Sequence, residues 1–147
     1  MSEAKATALM NYIRGEMKTR FSADALLLSR VRTVTATYSH APFVGVRAKW
    51  DGASESMETA TLHKVLSPRV SGSVPALSLV VNIQDLSGST LYVKAGGIQV
   101  LAKLALAAGS GFGDAFVPVP KSEVLADPEW IQLAVNYALE PFLKSVR

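Results

Sequence analysis

Between residues 75 and 119 the hydrophobic pattern changes its period within one continuous stretch. Leu77, Leu79, Val81 and Ile83 alternate with Ser78, Val80, Asn82 and Gln84. Ser87-Gly88-Ser89 then makes a turn, and Leu91-Tyr92-Val93 resumes the strand. After a break at Gly96-Gly97 an apolar run covers 98–108 and ends in the glycines Gly109, Gly111 and Gly113. A period of two giving way to a helix-like run predicts a β-hairpin that leads into a helix packed on its own sheet. This pattern sets the fold class, but it carries no chemistry.

The flanking segments add to the same class. Ala6, Leu9, Met10, Ile13 and Met17 fall at helical spacing behind Ser2, a residue suited to an N-cap, with Glu3 near the positive helix end. The end of this helix is expected near 19–21, and a short helical turn at 24–28. Residues 32–38 are rich in β-branched side chains, and Ser39-His40-Ala41-Pro42 reads as a turn. Val44, Val46, Ala48 and Trp50 then alternate with Gly45, Arg47 and Lys49, a half-buried strand that stops at Asp51-Gly52. A further strand is expected over 57–66. Asp127, Pro128 and Glu129 give the strongest helix start in the chain, and Pro141 predicts a kink. The stripe expected to be buried in this last helix is Ile131, Ala134, Val135, Ala138, Leu139, Phe142 and Val146.

The prediction is an α+β fold: a single antiparallel sheet of about five strands, with an N-terminal helix, a helix after the hairpin and a C-terminal helix packed on one face. At 147 residues the chain is expected to form one domain over 1–147 and to bury roughly 68–70% of its unfolded surface.

Composition narrows the partners. Hydrophobic residues make up 49% of the chain and charged residues 18%, against a usual charged share of about 25%. Lys94 and Lys103 interrupt the most apolar run before it reaches the ~20 residues that would cross a bilayer. No membrane partner is therefore expected, and the surplus apolar surface predicts a homo-oligomer. Cysteine is absent, which removes disulfides, thiolate nucleophiles and zinc–thiolate sites. No secretory h-region follows the start of the chain, so the expected address is cytoplasmic, or the virion if this is a phage component.

Candidate chemistry is sparse. The histidines are His40 and His63, with no metal-ligand spacing around them. A Ser39–His63–Asp51 set lacks any nucleophile-elbow context. The glycine cluster at Gly109–Gly113 lacks the lysine of a phosphate-binding loop and follows the expected helix, so it reads as a helix cap and a loop. Neither a cofactor, a metal nor a catalytic residue is expected, and the balance leans away from an enzyme.

Charge is uneven. Residues 1–50 hold eight basic and three acidic side chains, a balance of +5, while the remaining two stretches of the chain are each −1. If the strands carrying Arg30 and Arg32 and those carrying Arg47 and Lys49 pair suitably, they form a basic strip suited to nucleic-acid phosphates, with Tyr38 as the aromatic nearest to it. The expectation ranked first is a non-enzymatic subunit that works by protein–protein association in a homo-oligomeric assembly, with a phage or virion structural or adaptor component as the role its composition suggests. Its interface candidates are Leu104, Phe112, Gly111 and Gly113. Nucleic-acid binding through the basic strip is the alternative, and a small-molecule binder or enzyme with a cavity between sheet and helices is a third.

Overall fold

The structure is a computed structural model that describes residues 2–41, 45–57, 71–104 and 116–144. In order come α1 (Glu3–Arg20), β1 (Ala25–Ala41), β2 (Gly45–Trp50), β3 (Ala53–Ser56), β4 (Ser71–Asp85), β5 (Thr90–Val100), β6 (Ala102–Leu104), β7 (Phe116–Pro118), α2 (Pro128–Ala138) and α3 (Glu140–Lys144). The five-stranded antiparallel sheet has the order β3-β2-β1-β4-β5, and β6 pairs with β7 in a separate ladder. The α+β class, the N-terminal helix and the five-stranded antiparallel sheet match the sequence expectation, and the β6–β7 ladder is additional to it.

The chain divides into two compact units, Met1–Arg30 with Val81–Lys94, and Val31–Val80 with Ala95–Arg147. The first, the hairpin unit, holds α1, the start of β1 and the tip of the β4–β5 hairpin. Its helix half-buries Ala6, Met10, Ile13 and Met17, as their spacing predicts, but leaves Leu9 exposed. Ser2 occupies the N-cap without a side-chain cap bond, and its carbonyl accepts from the Ala6 N–H at 3.1 Å. Arg14, read from the pattern as lying off the buried stripe, reaches the hairpin instead, donating Nη2–H to Gln84 Oε1 at 2.9 Å. The turn itself is held by Asp85, whose Oδ1 accepts from the N–H groups of Ser87 and Ser89 at 2.9 and 2.8 Å.

The second, the closed-sheet unit, carries the larger core. Ala36, Val46, Ala48, Trp50, Met57, Val74, Ala76, Val100 and Leu104 form one buried cluster. The alanines Ala36, Ala48 and Ala76 lie in this cluster with Trp50 and Met57, on the inner side of the sheet. Its two edge strands then meet: the Gly97 N–H donates to the Asp51 carbonyl at 2.9 Å, and the Leu104 N–H to the Met57 carbonyl at 2.6 Å. Both edges advance in the same direction along this seam. That follows from closing an antiparallel sheet with an odd number of strands, where first and last must run parallel. Along this seam the two edges cover each other, which limits the edge left to template pairing with other chains. A second cluster, Leu77, Ile98 and Ala134 with Trp130 and Ile131 beside them, seats α2 on β5.

Several local expectations are corrected. The apolar run after the hairpin is not a helix where it is described: β5 continues to Val100 and β6 covers Ala102–Leu104. Gly96 and Gly97 do not break the strand. A Cβ on Gly96 would lie 2.1 Å from the Ala134 carbonyl oxygen, and one on Gly97 2.5 Å from Ala53 Cβ, so these glycines permit close approach on both sides of β5. Residues 24–28 form no helical turn, because β1 begins at Ala25. His40 sits in β1 opposite Val46 rather than in a turn. The strand expected over 57–66 lies outside the described residues beyond Met57, and β3 precedes it.

The last helix breaks at Leu139, two residues before Pro141, and Glu140 opens α3. Proline lacks an N–H and crowds the preceding turn, so the chain restarts a helix with Pro141 in its first turn, where no N–H is needed. Ala134 and Ala138 are buried and Phe142 is 44% exposed, so among the described residues the buried stripe ends with α2; Val146 lies outside them. Asp127 caps that helix as expected, its Oδ1 accepting from the Glu129 N–H at 2.8 Å.

Candidate functional site

The seam of the closed-sheet unit and helix α2 together build the site. Between the two backbone bonds that pin the seam, a side chain bridges it. Glu55, with 11% of its side chain exposed, accepts the Val100 N–H on Oε2 at 2.8 Å and pairs through Oε1 with Lys103 Nζ at 2.9 Å. Lys103 Nζ in turn lies 6.0 Å from the ring centroid of Trp130. A carboxylate thus satisfies the Val100 N–H between the two backbone bonds of the seam.

Outside this bridge lies a groove of about 710 Å³. One wall is the β2–β3 hairpin and the other is α2, which contributes Trp130, Leu133 and Tyr137. The hairpin turns at Asp51 (φ +38°) and Gly52 (φ +77°), an Asp-Gly turn of the kind that suits the twist of paired strands. Gly52 also makes room for Tyr137, since a Cβ there would lie 2.2 Å from Tyr137 Cζ. At the turn, Asp51 Oδ2 accepts from the buried Ser78 Oγ at 2.6 Å. On the outer face of the hairpin, Arg47 donates Nε–H to Ser54 Oγ at 3.0 Å and Nη2–H to the Ser54 carbonyl at 2.8 Å. The Arg47 guanidinium thereby fixes its own position and occupies a carbonyl of the edge strand β3. A smaller cavity of about 540 Å³ adjoins the start of α2, lined by Val117–Pro120, Pro128 and Trp130.

The residues singled out from the sequence are scattered. Arg47 and Lys49 share the outer face of β2, paired with Ser39 and Thr37 of β1. Tyr38 pairs with Ala48, so the even-numbered residues of β1 in this unit face inward with Val46, Ala48 and Trp50. Arg32 has that inward parity, although its own position is exposed. Arg32 and the Arg47–Lys49 pair therefore do not form one strip. Arg30 is exposed in the hairpin unit. Tyr38, placed from sequence as a stacking residue, packs edge-on against Phe116 with ring centroids 5.7 Å apart.

Leu104 is 4% exposed inside the main core, which corrects its reading as an interface residue. Phe112, Gly111, Gly113 and His63 lie outside the described residues. Ser39 and His40 are strand neighbours that point to opposite faces, and Asp51 is engaged by Ser78.

The groove residues on α2 were legible and were missed. Trp130, Leu133 and Tyr137 recur at helical spacing on a second apolar stripe beside the buried one at Ile131, Ala134 and Ala138. A helix that is apolar around most of its circumference needs a second cover. Glu55 and Lys103 carried no signal, because their pairing depends on how the sheet closes. Among the described residues no group of three or more His, Asp or Glu side chains is placed to hold a metal, and no helix is long and apolar enough to cross a membrane. No family model matches this chain, and neither the curated proteins nor the solved structures contain a match to it.

Proposed function

We propose that this protein works as a non-enzymatic subunit that associates with further copies of itself through its hairpin unit. The observation that carries the reading is α1. This helix of 18 residues has no fully buried residue and half-buries one side only, while Tyr12 is 65% and Phe21 68% exposed. In the same unit Leu9, Leu27, Leu91 and Val93 are also exposed large hydrophobic residues. Long amphipathic helices are ordinarily stabilised by packing one face rather than by propensity alone. A second copy that covers these side chains supplies the missing packing, and symmetric self-association is the commonest form of assembly among soluble proteins. The apolar fraction of 49% and the charged fraction of 18% point the same way.

Sedimentation equilibrium over a range of concentrations tests the proposal. The expected result is a mass above the 15.7 kDa of one chain, falling towards it in a Tyr12→Ser/Phe21→Ser double variant whose circular dichroism is unchanged. A wild-type protein that stays at one-chain mass at every concentration overturns the reading. So does a double variant that is folded and assembles as well as the wild type.

A further inference from the structure

We infer that the groove between the β2–β3 hairpin and α2 is a binding site for an anionic group carried on an apolar or aromatic body, with Arg47 receiving the anion. This site is independent of the proposed self-association, which uses the hairpin unit.

The inference follows from a charge inventory of the lining. Glu55 is neutralised by Lys103 at 2.9 Å. Glu140 is paired with Lys144 at 2.6 Å, and Lys144 is the cation of that pair. Asp51 is held by the Ser78 hydroxyl. Arg47 is the cation of the lining that pairs with no carboxylate among the described residues; its bonds go to the side chain and carbonyl of one serine. Those two bonds fix the plane of the guanidinium and leave its remaining N–H groups free to donate. A planar donor fork held in place before the ligand arrives suits a carboxylate or phosphate, because little side-chain freedom is lost on binding.

The opposite wall supplies the apolar half of the specificity. Leu133 is 64% and Tyr137 40% exposed, and Trp130 is half-buried beside them. Trp130, Leu133 and Tyr137 form one stripe along α2, and each already lines the groove. Pockets for small ligands are characteristically apolar and aromatic, with a few placed polar groups that fix orientation. A groove of about 710 Å³ lies within the usual range of roughly 300–1,000 Å³ for such sites. Asp51 and the bonded Glu55 disfavour anions elsewhere in the lining and so direct the acid group to Arg47.

Two-dimensional ¹H–¹⁵N NMR titration of the full chain with 2-naphthoate, and with 2-naphthamide as its uncharged counterpart, tests the site. The expected result is saturable shifts confined to 45–56 and 130–140, with the amide binding about tenfold or more weakly. Arg47→Ala should weaken naphthoate binding to the level of the amide, Arg47→Lys should fall between, and Leu133→Asp should remove binding of both. A peptide ending in a Phe carboxylate, run against its C-terminally amidated form, identifies the source. Tighter binding of the free acid than of naphthoate assigns a chain end, and the reverse order assigns a free small molecule. Absence of saturable binding by both acids and both amides overturns the inference. Shifts centred elsewhere do so too, as does equal binding by folded Arg47→Lys and Leu133→Asp variants. None of these readouts depends on the oligomeric state, so the site and the proposed self-association can fail separately.

Discussion

The two units use the same kinds of residue to different ends. In the closed-sheet unit the apolar side chains of β1, β2 and β4 point into a common core, and the seam between β3 and β5 is sealed by backbone bonds and by Glu55. Most polar groups taken inside are hydrogen-bonded there: Trp50 donates Nε1–H to the Leu77 carbonyl at 3.0 Å, and Gln99 bonds both the Glu123 carbonyl and the Leu125 N–H; Glu55 Oε1, buried without a hydrogen bond, is offset by its ion pair with Lys103. In the hairpin unit the buried hydrophobic residues, among those described, are Leu26 and Val81. Arg14 Nε and Asn82 Oδ1 are buried there without a hydrogen-bond partner. Each such orphan costs free energy comparable to a lost hydrogen bond. The contrast separates a unit that completes its own packing from one whose apolar surface is still on offer.

The sharpest way to break this contrast is truncation in each core. Trp50 is 7% exposed and hydrogen-bonded, so Trp50→Ala should destabilise the protein by about 3–5 kcal/mol. Leu26, also 7% exposed, lies among few buried neighbours and should cost nearer to about 2 kcal/mol on truncation to alanine. Urea unfolding followed by circular dichroism checks both. Equal losses at the two positions would mean that the hairpin unit is as well packed as the closed sheet.

A smaller effect is expected at the seat of α2. Gly96→Ala would place its methyl group 2.1 Å from the Ala134 carbonyl oxygen. Because that neighbour is backbone, the helix itself must shift, at a cost of about 1–3 kcal/mol. A change in Trp130 fluorescence should accompany the loss of stability. An unaltered melting temperature would show that α2 is seated more loosely than its contacts imply.

Gly96 and Gly97 also show where reading the sequence succeeds and where it stops. Their presence is plain, and so is the period-two pattern before them, which correctly predicts the hairpin. Two physical causes give adjacent glycines, a break in the strand or close approach of another backbone, and a linear pattern does not separate them. Only the positions of Ala134 and Ala53 do so. Arg47 and Lys49 illustrate the same boundary. Alternation correctly places them on the outer face of β2, yet whether Arg32 joins them depends on pairing register, fixed by Thr37 opposite Lys49. The groove was half legible: the stripe at Trp130, Leu133 and Tyr137 is visible at helical spacing, whereas its facing wall comes from residues more than seventy positions away.

The seam offers a third test. Glu55→Gln keeps an oxygen able to accept the Val100 N–H but removes the charge that pairs with Lys103. Lys103 remains 29% exposed and can be solvated, so a loss of about 1–2 kcal/mol is expected rather than that of a fully buried ion pair. Hydrogen exchange should quicken at Val100 and leave the Gly97 amide, which bonds to backbone, much less affected. Uniform acceleration along the seam would mean that Glu55 holds the whole closure rather than its middle.

The smallest expected effect belongs to the hairpin unit and is read with pH. The Ser87 hydroxyl donates to Asp85 Oδ1 at 2.6 Å, and the Ser89 and Ser87 N–H groups add to it. These bonds, the Ser87 hydroxyl first, hold the Asp85 carboxyl below the ordinary aspartate range. A pKa lower in the folded chain than in the unfolded one means that the ionised form supports folding. That support is complete above the ordinary aspartate value of about 3.9 and is lost as pH falls through the lower folded value. Asp85 is partly exposed in the turn, so the effect should be confined to the turn. Amide exchange at Ser87, Gly88 and Ser89, corrected for its intrinsic pH dependence, should rise as pH drops below about 4, and in Asp85→Asn the rise should be absent because the acceptor no longer titrates. A turn whose protection is the same at pH 6 and pH 3 would show that backbone geometry alone holds it, with Gly88 at φ +96° sufficient for the reversal. It would also make the tip of the hairpin unit sturdier than its thin core suggests, and narrow the contrast between the units to α1.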